Sequence, residues 1–126
     1  MPSLQETFLR LRPDGSVEPL DAEGFWPKLI GGQLGAFHHE YLVTTLRFTE
    51  SWQGWEQHPL GDEIVCLLSG HLTLIQQSAA GEVRTGLTRA GEFAVNPRGI
   101  WHTADVHAES LVLFITAGEG TQTRPR

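Results

Sequence analysis

The chain has 126 residues, with 9 basic against 15 acidic side chains and a formal net charge of -6. That balance argues against a nucleic-acid binder, which needs a concentrated basic patch; the nearest approach, Arg124 and Arg126, reads as a frayed terminus. The length suffices for one hydrophobic core, so a single domain over 1–126 is expected. Met1 to Arg12 lacks the apolar stretch of a signal peptide. The longest aliphatic runs, Ile64 to Leu68 and Leu111 to Ile115, are too short to span a bilayer, so no membrane partner is expected. The single cysteine, Cys66, has no internal partner, fits a reducing cytoplasm and reads as a small core residue.

Turn signals recur roughly every eight to twelve residues, the spacing of a sandwich or barrel. They are Pro13-Asp14-Gly15, Gly31-Gly32, Ala80-Gly81, Ala90-Gly91 and Pro97-Arg98-Gly99. The first predicted strand is Phe8 to Arg12. Asp21 to Leu29 follows as one helical turn, started by Asp21 and stopped near Pro27, with Trp26 packed on the barrel. Strands are then predicted at Tyr41 to Phe48, Trp52 to His58, Glu63 to Ser69, His71 to Gln77 and Val83 to Leu87. The last three are Glu92 to Asn96, Trp101 to Val106 and Ser110 to Thr116. Along Glu63 to Ser69, Val65 and Leu67 share one face while Ile64, Cys66 and Leu68 share the other. Both faces are therefore expected to be buried, but a barrel interior covers only one. The N-terminal residues 1–40, as a packing segment, or a partner subunit must cover the second. A homodimer is expected, with Trp26 and Trp52 as candidates for its surface.

Two polar clusters are tied to glycines at fixed spacing: Glu56-x-His58-x4-Glu63-x6-Gly70 and Gly91-x5-Pro97-x-Gly99-x2-His102. Residues two apart in a strand point the same way, so Glu56 and His58 face one side together. Pro59-Leu60-Gly61 then reverses the chain and brings Glu63 across from His58 on the neighbouring strand. His102 arrives from a strand far along the chain. Carboxylate with imidazole suits iron, manganese, nickel or zinc, whereas calcium prefers oxygen alone. Asp62 faces away or sits in the turn. Arg47 is a candidate to bind a substrate carboxylate, against a solvated strand face as the alternative. His38 and His39 belong to an exposed loop, His71 to the surface and His107 to the turn before Glu109, and Trp101 points outward.

These spacings resemble the two motifs of the cupins, G-x5-H-x-H-x3–4-E-x6-G and G-x5-P-x-G-x2-H-x3-N. The match holds at His58, Glu63, Gly70, Gly91, Pro97, Gly99 and His102. It departs at Glu50 and Val106, where the pattern has Gly and Asn, and at Glu56, where it has its first histidine. The stretch Trp55 to Glu63 is also similar to a subgroup of small single-domain cupins.

The resemblance implies an all-β, antiparallel jelly-roll barrel with its motifs over about 41–116. It further implies a divalent transition metal (iron, manganese, nickel or zinc) at Glu56, His58, Glu63 and His102. Those ligands carry two negative charges, where the usual three-His, one-Glu site carries one. Glu56 is then either a ligand or a group beside the ion, such as a catalytic base. Metal-bearing cupins include dioxygenases, isomerases, decarboxylases and lyases, so an enzyme acting on a small organic molecule is implied, with dioxygenase the first subclass to test. The alternative is a non-catalytic small-ligand-binding or sensor cupin with a degenerate, metal-free pocket.

Overall fold

The computed structural model describes residues 1–126. The elements in order are β1 (Thr7–Leu11), β2 (Val17–Asp21), α1 (Phe25–Ile30), β3 (Tyr41–Phe48), β4 (Gly54–Gln57), β5 (Glu63–Ser78), β6 (Gly81–Leu87), β7 (Phe93–Asn96), β8 (His102–Ala117) and β9 (Gln122–Pro125). No helix is long and apolar enough to cross a membrane.

Two long strands organise the sheet, in which every pairing is antiparallel. β8 pairs with β5 along most of its length, with β3 along its second half, and with β4 at Glu56↔His102. β5 in turn carries β7 on Glu63–Cys66 and β6 on Leu72–Ser78. Between Leu67 and Leu72 the β5–β8 register slips, and the sheet folds over there. Val65, Leu67, Val112 and Phe114 from one side of the slip then pack in one core with Leu72, Leu74, Leu87 and Ala104 from the other. The result is an antiparallel jelly-roll barrel.

Gly70 makes this corner possible. Its φ is 103°, and a Cβ there would lie 2.6 Å from Ser110 Cα. The buried Ser110 hydroxyl supplies what the broken ladder lacks: it accepts from the His71 N–H at 3.1 Å and donates to the Ala108 carbonyl at 2.8 Å. Glu63–Ser69 and His71–Gln77, expected as two strands, are therefore one, and so are the stretches around Trp101–Val106 and Ser110–Thr116. His107 accordingly lies within β8 rather than in a turn, where its Nε2 meets Thr73 Oγ1 at 2.8 Å.

The N-terminal segment builds a second, smaller core from Phe8, Phe25, Phe37 and Leu42. Phe8 and Phe25 meet edge to face at 5.0 Å, and Trp26 packs on Phe25 at 4.9 Å. α1 does not stop at Pro27. The proline occupies the first turn, where a backbone N–H has no partner inside the helix, and the helix runs on to Ile30. The buried Arg10 guanidinium pairs with Glu40, donates to the Leu34 carbonyl at 2.7 Å and stacks 4.2 Å from the Phe37 ring. This fastens the loop between α1 and β3 to β1.

Other expectations are corrected as well. The C-terminal residues are not frayed: β9 pairs with β4, Arg124 stacks 4.4 Å from the Trp101 ring, and Arg126 is bound to Asp105. On β5 the second face is not buried within the single chain, since Ile64 and Cys66 are half-buried and Leu68 is exposed. Ser69 is exposed too, because the slip after Leu67 breaks the alternation of faces.

Candidate metal centre

Four side chains named from the sequence converge at one end of the barrel. Glu56 projects from β4 opposite His102 on β8, their backbones being ladder partners. His58 follows the end of β4, and Glu63 opens β5 opposite Asn96 of β7. β4 and β5 are not neighbouring strands, as the turn at Pro59–Gly61 had suggested: β4 pairs with β8 and β9 instead. His58 and Glu63 meet across the interior, with His58 Nε2 3.1 Å from Glu63 Oε2. His102 Nε2 lies 3.2 Å from Glu63 Oε1 and 3.9 Å from Glu56 Oε2. Donor atoms of Glu56, His58 and His102 all fall within 4.8 Å of one another, a group that could hold a metal ion.

Hydrogen bonds orient the two imidazoles. His58 Nδ1 meets Thr121 Oγ1 at 2.9 Å, and that hydroxyl donates onward to the Gly118 carbonyl at 3.4 Å. With the hydroxyl proton turned to Gly118, Nδ1 of His58 is the donor in this contact and its Nε2 is left free to take a cation. His102 Nδ1 faces the Ile100 carbonyl at 3.4 Å, which can only accept. In these tautomers each buried Nε2 presents a lone pair to the interior, beside the Glu63 oxygens at 3.1 and 3.2 Å. Two lone pairs and the oxygens of two carboxylates face one another. Contacts this close are bridged by a positive charge, either a proton on imidazole or a metal ion, and imidazole with carboxylate is a ligand set that fits a divalent transition metal.

The same contacts set the ionisation of these groups. Burial alone would lower the His58 pKa, but Glu63 and then Glu56 hold the imidazole above its ordinary value. Burial alone would raise the Glu63 carboxyl, yet His102 and His58 hold it well below the usual carboxylate range. Glu56 is pushed up, first by burial and then by the charge of Glu63.

Sequence reasoning missed the side chains that hold Glu63. Asn96 Nδ2 donates to its Oε1 at 3.0 Å and Thr116 Oγ1 to its Oε2 at 2.6 Å. Gln76 Nε2 in turn donates to Asn96 Oδ1 at 2.7 Å. A polar residue inside β7 just before Pro97 was the one available signal for Asn96. Gly99, with φ 74°, turns the second motif, and its N–H donates to the His58 carbonyl at 3.1 Å, tying the two motifs together. Val106, at the asparagine position of the cupin pattern, packs against the main core.

Glu56, His58 and Glu63 open on a cavity of about 1030 Å³. The Glu56 side chain keeps 41% of its surface exposed, the most open of the four. Trp26 and Trp52, the candidates for a subunit surface, both line this cavity. Arg47 reaches the rim but is half exposed and bound to Glu109 at 3.0 Å. His38, His39 and His71 are exposed and lie outside the group.

No protein-family model matches the chain, and no curated protein matches it. Solved structures do. A cupin-2 domain containing protein from Shewanella frigidimarina is 21% identical with a TM-score of 0.50, over 68% of this chain and 71% of that one. Hydroquinone 1,2-dioxygenase from Sphingomonas sp. TTNP3, with 4-hydroxybenzoate bound, is 19% identical with a TM-score of 0.50, over 60% of this chain and 58% of that one. Drosophila melanogaster CENP-C, bound to CAL1, is 14% identical with a TM-score of 0.52, over 75% of this chain and 95% of that one. The chain therefore has the cupin fold, a scaffold shared by proteins of unlike function.

Proposed function

We propose that this protein is a metal-dependent cupin enzyme that acts on a small organic molecule, with dioxygen-dependent oxidation the first reaction to test. The observation that carries the reading is the pair of buried Nε2 atoms of His58 and His102, gathered with a Glu56 oxygen within 4.8 Å. His58, His102 and Glu56 would hold the ion, and Glu63, at 3.1 and 3.2 Å from the two imidazoles, would complete the set. A divalent ion held there would supply a Lewis acid to dioxygen or a substrate oxygen. Hydroquinone dioxygenases among the structural relatives support the choice of subclass.

The chain's own residues contribute positioning and proton transfer. Thr121 and the Ile100 carbonyl keep the protons of His58 and His102 on Nδ1. Asn96 and Thr116 hold the Glu63 carboxylate in place. Glu56, the most exposed of the four, is placed to accept a proton from a substrate hydroxyl at its carboxylate oxygen. Oxygen uptake by the iron-loaded protein, measured over a panel of small phenols and diols, tests the reading. Uptake that vanishes in His102→Ala is expected. A loaded protein that consumes no oxygen across the panel would favour the non-catalytic ligand-binding reading instead.

A homodimer belongs to the same proposal. The outer face of β5, β7 and β8 presents Phe93 and Val95, exposed, beside the half-buried Ile64, Cys66 and Leu113. A contiguous apolar face of this kind is covered in most soluble proteins. Light scattering should give twice the 14.0 kDa chain mass, and a strictly monomeric mass at high concentration would remove the dimer.

A further inference from the structure

Two kinds of side chain enclose the cavity above Glu56, His58 and Glu63. Phe48, Trp52 and Phe114 form a continuous aromatic wall, their ring centroids 5.4 to 6.1 Å apart. Trp26 and Ile30 of α1 add apolar surface at the far end. The charged groups are nearly all acidic. Glu50 and Glu119 join Glu56 and Glu63 around the cavity, against the single guanidinium of Arg47, which Glu109 already neutralises at 3.0 Å. Glu50 makes no ion pair, and Glu119 meets only the exposed His38, at 3.2 Å.

This arrangement separates ligands by charge. A divalent ion is cancelled by Glu56 and Glu63, so it offers an arriving anion no net attraction, and the rim beyond it repels one. No unpaired cation stands ready to grip a carboxylate. A neutral hydroxyl, by contrast, finds an acceptor in the exposed Glu56 carboxylate while its ring lies on the aromatic wall. We propose that the cavity takes neutral hydroxylated aromatics and turns away carboxylates of the same shape, with Phe48, Trp52 and Phe114 as the binding wall and Glu50 and Glu119 as the discriminating charges. The proposal rests on the metal-centre reading for the reaction site, but wall and rim exist without the ion, so the two can fail separately.

The test uses para-cresol and para-toluate, which share a ring and a methyl group and differ in charge. Binding is read by tryptophan fluorescence, because Trp26, Trp52 and Trp55 line the cavity, three of the four tryptophans. Both zinc-loaded and chelator-stripped full-length protein are titrated. Para-cresol is expected to bind at least about tenfold more tightly than para-toluate in both forms. The double variant Glu50→Gln, Glu119→Gln should narrow that ratio at least about threefold. Trp52→Leu should weaken cresol binding about tenfold. Trp26→Ala, on the exposed side of α1, should weaken it about threefold without touching the main core. Toluate binding as tightly as cresol, neither probe binding, or a ratio indifferent to the rim variant would overturn the proposal. Discrimination by a protein that takes up no zinc would uphold the ligand class while removing the metal reading.

Discussion

Thr116→Val removes one hydroxyl and little else, and it tests how the candidate centre is held. The Thr116 hydroxyl donates to Glu63 Oε2 at 2.6 Å, and Glu63 is a buried carboxylate kept ionised by its donors. A hydrogen bond to a charged group contributes about 1.5–3 kcal/mol, so the stripped variant should lose that much stability near neutral pH. For a chain of this size the loss corresponds to a fall in Tm of about 5–10 °C. The sign of the pH dependence follows from Glu63. A carboxyl depressed in the fold contributes stability that is complete above its unfolded pKa of about 4.3 and is lost as pH falls through the folded value. Removing a donor raises the folded value, so the gap between variant and wild type should be full from neutral pH down through the unfolded value and close only in strong acid, as pH falls from the variant's folded value to the wild type's. Urea unfolding of both proteins at about pH 7 and about pH 5 measures it. Equal midpoints at neutral pH, or a gap that has already closed at about pH 5, would refute the role given to Thr116. Metal affinity of the variant should also fall about 10–100-fold, since Glu63 loses its orientation.

Gly70→Ala should cost about 2–5 kcal/mol, combining a strained φ with a clash against the Ser110 backbone at the β5–β8 corner; thermal unfolding within about 1 °C of wild type would show the corner to be adaptable. His58, raised in pKa by its carboxylate neighbours, stabilises the metal-free fold below its unfolded value of about 6.5, and that contribution is lost as pH rises through the folded value. Metal binding must displace that proton, so zinc-induced thermal stabilisation should grow between about pH 6 and pH 8, and a pH-independent shift would contradict the ligand role of His58. Glu56→His should keep the metal by restoring the imidazole of the cupin pattern, whereas Glu56→Gln should weaken it at least about tenfold; two variants with wild-type affinity would remove Glu56 from the ion's surroundings.

Much of the barrel was legible because its strands are bounded by residues with one physical use. β3 runs from Tyr41 to Phe48 as predicted, its inner residues Leu42 and Thr44 buried. The elements that escaped have little burial to betray them. β2 alternates between exposed and half-buried, and β9 is exposed throughout, held by pairing with β4 and by Arg124 and Arg126 rather than by apolar side chains. Ser69 and Gly70 carry the signature of a turn, but Ser110 repairs the ladder around them and the strand continues. At the site, Glu56, His58, Glu63 and His102 stood out because glycines fix their spacing. Asn96, Thr116 and Thr121 did not, since a lone polar residue in a strand becomes informative only when its partner is seen.

Elemental analysis of the untagged protein, purified without chelators or added metal, tests the metal centre most directly. About one divalent transition-metal ion per chain is expected, falling to background in the double variant His58→Ala, His102→Ala. A wild-type protein that carries no metal and takes up none when zinc, iron or manganese is offered would contradict the account, as would a stoichiometric content unchanged in the double variant.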